Sequence, residues 1–176
     1  LFYGMGKAKL QAELGVSKDK AEELFAIYHQ RVPFVKTLMK SVSNRAQQRG
    51  QIRTLLGRLC RFHLWEPNRF GINKALPFEQ AVQEHGQGNI RRAYTYKALN
   101  KLIQGSAADM TKKSMLDLYK EGIIAHIQIH DELDLSVESP EQAKKVVEIM
   151  ENAVKLDVPN KVDYESGKNW GDIYDN

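Results

Sequence analysis

Between residues 123 and 137 the chain alternates twice, and that pattern dictates a β-hairpin more strictly than any other feature dictates its surroundings. The stretch runs Ile123-Ile124-Ala125-His126-Ile127-Gln128-Ile129, then His130-Asp131-Glu132, then Leu133-Asp134-Leu135-Ser136-Val137. Strand side chains point to opposite faces with period 2, so Ala125, Ile127 and Ile129 share one face. Leu133, Leu135 and Val137 do the same on the second run. A three-residue turn over His130–Glu132 pairs Ile129 with Leu133 and brings the two apolar faces together against a core. The tip then concentrates two carboxylates and an imidazole in three residues. Taken alone, such a tip describes a solvated turn; crowding charge this way costs stability unless a cation or substrate uses it.

A second pattern lies upstream, from Lys97 to Asp109. At helical pitch Leu99, Ile103 and Met110 fall on one side, while Lys97, Asn100, Gln104 and Thr111 form a separate stripe. Gly105-Ser106-Ala107-Ala108 is a run of small residues that lets another backbone, or a nucleic-acid strand, come close. The same pattern also describes an ordinary amphipathic helix. The amides narrow the choice. Asn and Gln donate to acceptors, and the DNA minor groove offers acceptors, the purine N3 and pyrimidine O2 atoms, at every base pair. A protein that accepts any sequence yet senses pair geometry needs such groups.

The length of 176 residues allows one ordinary domain or two small ones, and 42% apolar content is enough for a core. The net charge of +4 suits an acidic partner. Cys60 is the single cysteine, which excludes a disulfide framework and points to a reducing compartment; a cytoplasmic location is expected. No apolar run approaches the ~20 residues of a membrane span, and no signal peptide is visible. The chain opens on Leu1-Phe2-Tyr3 without Met, which leads us to expect a piece of something longer.

Ser17 is placed to cap a helix over 18–31, and Pro33 to open another that Gly50 stops after Arg49. Residues 51–57 read as a short strand or extended segment. The Pro- and Gly-rich stretch from Arg58 to Gly88 carries one short helix near 77–84. A long helix is expected over 90–120, ended by Gly122. After the hairpin, Ser139-Pro140-Glu141 starts a helix to about residue 155, and residues 161–166 read as a last strand. The expected class is α+β: a helical first half, then helices packed on a small antiparallel sheet.

Asn100-(x3)-Gln104-Gly105-Ser106-Ala107-Ala108-Asp109, followed by Ile129-His130-Asp131-Glu132-Leu133, resembles the C-terminal part of a family A DNA polymerase, the DNA polymerase I type. Phe2-Tyr3-Gly4-Met5 resembles the end of that family's fingers helix, and Gly50-Gln51-Ile52-Arg53-Thr54-Leu55-Leu56-Gly57-Arg58 its Thr-Leu-x-Gly-Arg segment. Lys168-Asn169-Trp170-Gly171-Asp172 resembles the terminal motif. The motifs follow the family's order and cover nearly the whole chain. The stretch from Leu59 to Asn89, with His63-Leu64-Trp65-Glu66-Pro67, looks longer than in bacterial members and is reminiscent of phage ones.

The resemblance implies a division into fingers at residues 1–90, lacking the start of the nucleotide-binding helix, and the C-terminal half of the palm at 91–176. It implies template-directed nucleotidyl transfer with two Mg²⁺ ions, a mechanism that rests on positioning and charge neutralisation. Asp131 falls on one of the two metal-holding aspartates, Glu132 on the accessory carboxylate, and His130 beside the primer terminus. Asn100 and Gln104 fall on positions that touch the minor groove near the new pair, and Lys97, also a DNA-contact candidate, falls where bacterial members have Arg, whose planar fork Lys cannot reproduce. On their own chemistry Arg53 and Arg58 read either as phosphate contacts or as a solvated basic surface. Tyr3, with Gly4 after it, falls at the insertion site against the template side. The implied partners are primer–template DNA, deoxynucleoside triphosphates and an N-terminal polymerase segment holding the other aspartate. Without that segment the chain is expected to be inactive. Two other readings remain open on the residues. One is a metal-dependent hydrolase or oxygenase using His126, His130 and Asp131; the other is a non-catalytic nucleic-acid-binding module or polymerase relic.

Overall fold

Glycine, proline and serine punctuate the first fifty residues, and helices begin and end where they fall. The structure is a computed structural model that describes residues 5–69, 71 and 73–174. It divides into two compact units, Leu1–Ser106 and Ala107–Asn176. Tyr3 and Gly4 lie outside the described residues.

In the first unit, helix α1 (Lys7–Leu14) ends on Gly15 in the left-handed region, φ 61°. Ser17 caps helix α2 (Lys18–Arg31), its Oγ accepting from the Lys20 amide at 3.3 Å. Pro33 opens helix α3 (Pro33–Arg49), and Gly50 at φ 67° closes it. A Cβ on Gly50 would lie 2.6 Å from Arg92 Cζ, so a larger residue there would have to displace the Arg92 guanidinium. Strands β1 (Gln51–Arg53) and β2 (Leu59–Arg61) form an antiparallel hairpin. Val42, Ala46, Ile52, Phe62, Ala98 and Leu99 bury against one another as the core of this unit. Val35, Val42 and Ala46 are the buried residues of α3, a single stripe at helical spacing.

The long helix expected over 90–120 begins later. Ile90–Arg92 is strand β4, paired antiparallel with strand β3 (Trp65–Pro67), with Trp65 opposite Arg92. Between these strands runs an excursion holding helix α4 (Phe78–His85). Tyr94 then adopts φ 61°, a 3-10 turn covers Thr95–Lys97, and helix α5 runs Ala98–Lys120. Pairing decides the matter. Arg92 Nη1 donates to the Phe62 carbonyl at 2.8 Å and Nε to the Gln47 carbonyl at 3.2 Å. Its own backbone exchanges bonds with the Gln47 side-chain amide at 2.9 and 3.2 Å, and its guanidinium lies 4.5 Å over the Trp65 ring. With its backbone paired to β3 and to Gln47, and its side chain tied to Phe62, Arg92 stays in the strand rather than opening the helix.

In the second unit, strands β5 (Ile127–Ile129) and β6 (Glu132–Asp134) form the expected hairpin in a different register. The turn is two residues, His130 and Asp131, and Ile129 pairs with Glu132 rather than Leu133. His130 supplies the positive φ, 51°, that a tight two-residue turn needs. The one-residue shift separates the apolar faces. Leu133 and Leu135 pack on Leu118, Ile123 and Val146, while Ile127 and Ile129 stand opposite Asp134 and Glu132 and are about 40% exposed. Helix α6 (Pro140–Asn152) is capped reciprocally: Ser139 Oγ accepts from the Gln142 amide, and Gln142 Oε1 from the Glu138 amide. Residues 161–166 form no strand. The Val162 amide donates to Glu151 Oε1, and Asn160 Nδ2 to the Met150 carbonyl, so this segment docks on the end of α6 instead of on a ladder. A one-turn helix α7 (Gly171–Tyr174) follows. The class is α+β, with three separate two-stranded antiparallel sheets among the described residues.

Candidate nucleic-acid interface and catalytic turn

The candidate residues of the first unit gather along the N-terminal part of α5. Lys97, Asn100 and Gln104 are exposed at spacings of three and four, as a single solvent-facing stripe. Leu99 is buried beneath them, and Leu102 and Ile103 pack against the core. Thr111 does not belong to the stripe. It is buried in the second unit, and its hydroxyl donates back to the Ala107 carbonyl at 3.4 Å.

The small residues of α5 have a partner within the chain. A Cβ on Gly105 would come 2.8 Å from the Thr54 methyl, so only glycine admits Thr54 there. Arg58 Nη2 donates to the Gly105 carbonyl at 2.7 Å, and the Leu55 amide donates to Ser106 Oγ at 2.9 Å. The Thr54–Arg58 turn is thus stapled to α5 immediately after Gln104. Arg53 joins it, donating to the Gly57 carbonyl at 2.9 Å. Both arginines remain exposed at the surface while each commits a donor to the turn. Sequence reasoning found the small-residue run but not the loop that occupies it.

Charge is divided sharply along the chain. Residues 1–106 hold 18 Lys and Arg against 7 Asp and Glu, and residues 107–176 hold 8 against 15. Between Glu23 and Glu66 there is no acidic residue and there are eight basic ones. The modest net charge therefore conceals a strongly basic first unit, the electrostatic signature suited to phosphate backbones.

In the second unit His130, Asp131 and Glu132 are all exposed at the hairpin tip. Gln128 Nε2 donates to the His130 carbonyl at 2.6 Å and braces the turn. Asp134 lies two residues further along β6, and its buried Oδ2 has no hydrogen-bond partner among the described residues. Among the described residues no three His, Cys, Asp or Glu side chains are grouped to hold a metal, which speaks against a self-contained His126, His130 and Asp131 centre. Two neighbouring carboxylates do suit Mg²⁺. That ion takes hard oxygen donors, keeps several waters, and is commonly held through one or two carboxylates plus substrate phosphates. No helix among the described residues is long and apolar enough to cross a membrane.

A family model described as DNA polymerase family A matches residues 1–172. The chain is 36% identical over 152 residues to a DNA-directed DNA polymerase of Pseudomonas phage M6, covering 86% of this chain and 20% of the relative. It is 35% identical to DNA polymerase I of Bacillus caldotenax, covering 98% of this chain and 19% of the relative. Among solved structures it is similar to the POL domain of Pol1 from M. smegmatis in complex with DNA primer-template and dNTP. There the TM-score is 0.66 and the identity 29%, over 90% of this chain and 26% of that one. The chain spans about a fifth of the length of the curated relatives it matches.

Proposed function

This chain belongs to DNA polymerase family A, and on that premise we propose that it supplies part of a template-directed DNA polymerase. Residues 1–90 serve as fingers and 91–176 as the C-terminal half of the palm. The reaction joins a primer 3′-hydroxyl to the α-phosphate of a deoxynucleoside triphosphate and expels pyrophosphate. The remainder of the polymerase completes the site. The observation that carries this reading is the exposed stripe of Lys97, Asn100 and Gln104, set in a basic unit within a chain matched to the family over residues 1–172.

Each residue then has a task. Asn100 and Gln104 donate amide hydrogens to minor-groove acceptors that every correct base pair presents at nearly the same place. Lys97, Arg53 and Arg58 place positive charge against phosphates. His130 contacts the primer terminus. Tyr3 and Gly4 lie outside the described residues; the task proposed for them is at the insertion site, on the template side. Asp131, assisted by Glu132, would hold Mg²⁺. When bound, Mg²⁺ supplies the positive charge that offsets phosphate charge at the reacting centre. The turn contributes placement: two residues, braced by Gln128, hold both carboxylates at the end of a paired strand.

A primer-extension assay on Gln104→Ala, in a polymerase assembled from this chain and the rest of a family member, tests the amide's role. Extension is expected to fall about tenfold, more from a mismatched terminus than from a matched one, and equally for all four bases, in line with one lost base-edge contact. A defect confined to one base would overturn minor-groove checking by Gln104.

A further inference from the structure

Tyr94 and Tyr96 stand just before the amide stripe, and the reading above gives them no task. Tyr94 holds a positive φ of 61°, rare for a bulky side chain and maintained only where surrounding structure enforces it. Tyr94 is 40% exposed and Tyr96 66% exposed. Lys97 Nζ lies 5.2 Å from the Tyr94 ring centroid and 5.6 Å from that of Tyr96, so one ammonium serves two open rings. Tyr96 also lines an open recess of about 270 Å³, together with Ser43, Gln47, Glu66, Arg91 and Thr95. Its walls are fixed. Gln47 is locked by two bonds to the Arg92 backbone, and Arg91 Nε donates to Glu66 Oε1 at 2.9 Å.

The occupant follows from this chemistry. The recess is too small for a helix or strand of another protein, and its walls are hydroxyl, amide and ion pair rather than apolar. A nucleobase offers a flat π face and polar edges. Single-stranded nucleic acid binds where exposed aromatic rings stack its bases and cations meet its phosphates. The cations are present: Lys97 and Lys101 are exposed, in a stretch with no acidic residue between Glu84 and Asp109. Glu66, the one carboxylate lining the recess among the described residues, is paired with Arg91.

We propose that this recess receives one unpaired nucleobase of single-stranded DNA, stacked on Tyr96, with the adjoining phosphate at Lys97. Tyr94 steadies Lys97 from its other side. The proposal rests on the reading of this chain as part of a DNA polymerase and adds a single-strand subsite to it.

Fluorescence anisotropy of the whole chain with three probes provides the test: an oligodeoxythymidylate, an abasic oligonucleotide of the same length, and a blunt duplex. The unsubstituted chain is expected to bind oligodeoxythymidylate more tightly than the abasic strand. Tyr96→Ala is expected to lose about tenfold on oligodeoxythymidylate, the scale of one base–aromatic stack, with no change on the abasic strand. Tyr96→Phe keeps the ring and is expected to keep the affinity. No preference for bases over abasic sites, no loss in Tyr96→Ala, or an equal loss on both strands would overturn the subsite. The duplex separates the two readings: single-strand binding without duplex binding contradicts the minor-groove role of Asn100 and Gln104 and leaves this subsite standing.

Discussion

Asp131→Asn is expected to lower nucleotide incorporation about 10³-fold while leaving the Kd for primer–template DNA unchanged. The measurement is single-turnover extension in a polymerase assembled from this chain and the rest of a family member, beside a DNA-binding titration. Asparagine keeps the size and shape of the side chain and fits the same exposed turn position. What it removes is the negative charge that would hold Mg²⁺ beside the reacting phosphate. In the proposed role DNA affinity would come mainly from Lys and Arg contacts to phosphates, which Asp131 would not make. Incorporation within about tenfold of the unsubstituted protein would take Asp131 out of the metal site.

The largest stability effect is expected at Arg92. Its guanidinium donates to the carbonyls of Phe62 and Gln47 and lies over Trp65, so it joins β4 to the C-terminal end of α3, to the residue after β2, and to β3. Arg92→Ala leaves two part-buried carbonyls without donors and empties the face of Trp65. Charged hydrogen bonds of this kind contribute about 1.5–3 kcal/mol each, and the cation–π contact about 1 kcal/mol more. A loss of about 3 kcal/mol in urea denaturation is expected once relaxation is allowed for. Arg92→Lys should recover only part of it, since an ammonium cannot fork between two carbonyls and also lie flat on a ring. A change below about 1 kcal/mol would show that Arg92 is not the clamp of this unit.

Elements governed by their own end residues were legible in the sequence. Ser17, Pro33, Gly50, Ser139 and Pro140 act through local chemistry, and their helices begin or end where these residues predict. Elements that depend on a distant partner were not. Ile90–Arg92 carries no local mark that separates it from the helix after it; pairing with Trp65–Pro67 makes it a strand. Residues 161–166 alternate like a strand, but Glu151 and the end of α6 take up their polar groups. The hairpin was legible as a hairpin. Its register was not, because one residue of turn length moves every side chain to the other face, and nothing in His130-Asp131-Glu132 states whether two or three residues turn.

The candidate site divides in the same manner. The stripe of Lys97, Asn100 and Gln104 could be read from helical spacing, whereas the burial of Thr111 follows from packing in the second unit. Gly105 announced a close approach without naming Thr54 as the visitor. The roles given to His130, Asp131 and Glu132 come from family resemblance, since three polar residues at a turn carry no role by themselves. Tyr94 and Tyr96 left a signal that went unused: two aromatics interleaved with Arg91, Arg92 and Lys97 immediately before an amide-bearing helix.

Primer extension by a hybrid polymerase tests the central claim most directly. In DNA polymerase I of Bacillus caldotenax, the fifth of the protein that matches this chain would be replaced by residues 1–176. The folded hybrid is expected to extend a primer according to its template, to stop doing so on Asp131→Asn, and to outperform the 176-residue chain assayed alone, which is expected to leave the primer unextended. A folded hybrid that binds primer–template DNA yet adds no nucleotide would contradict the account and identify the chain as a binding module without catalytic capacity.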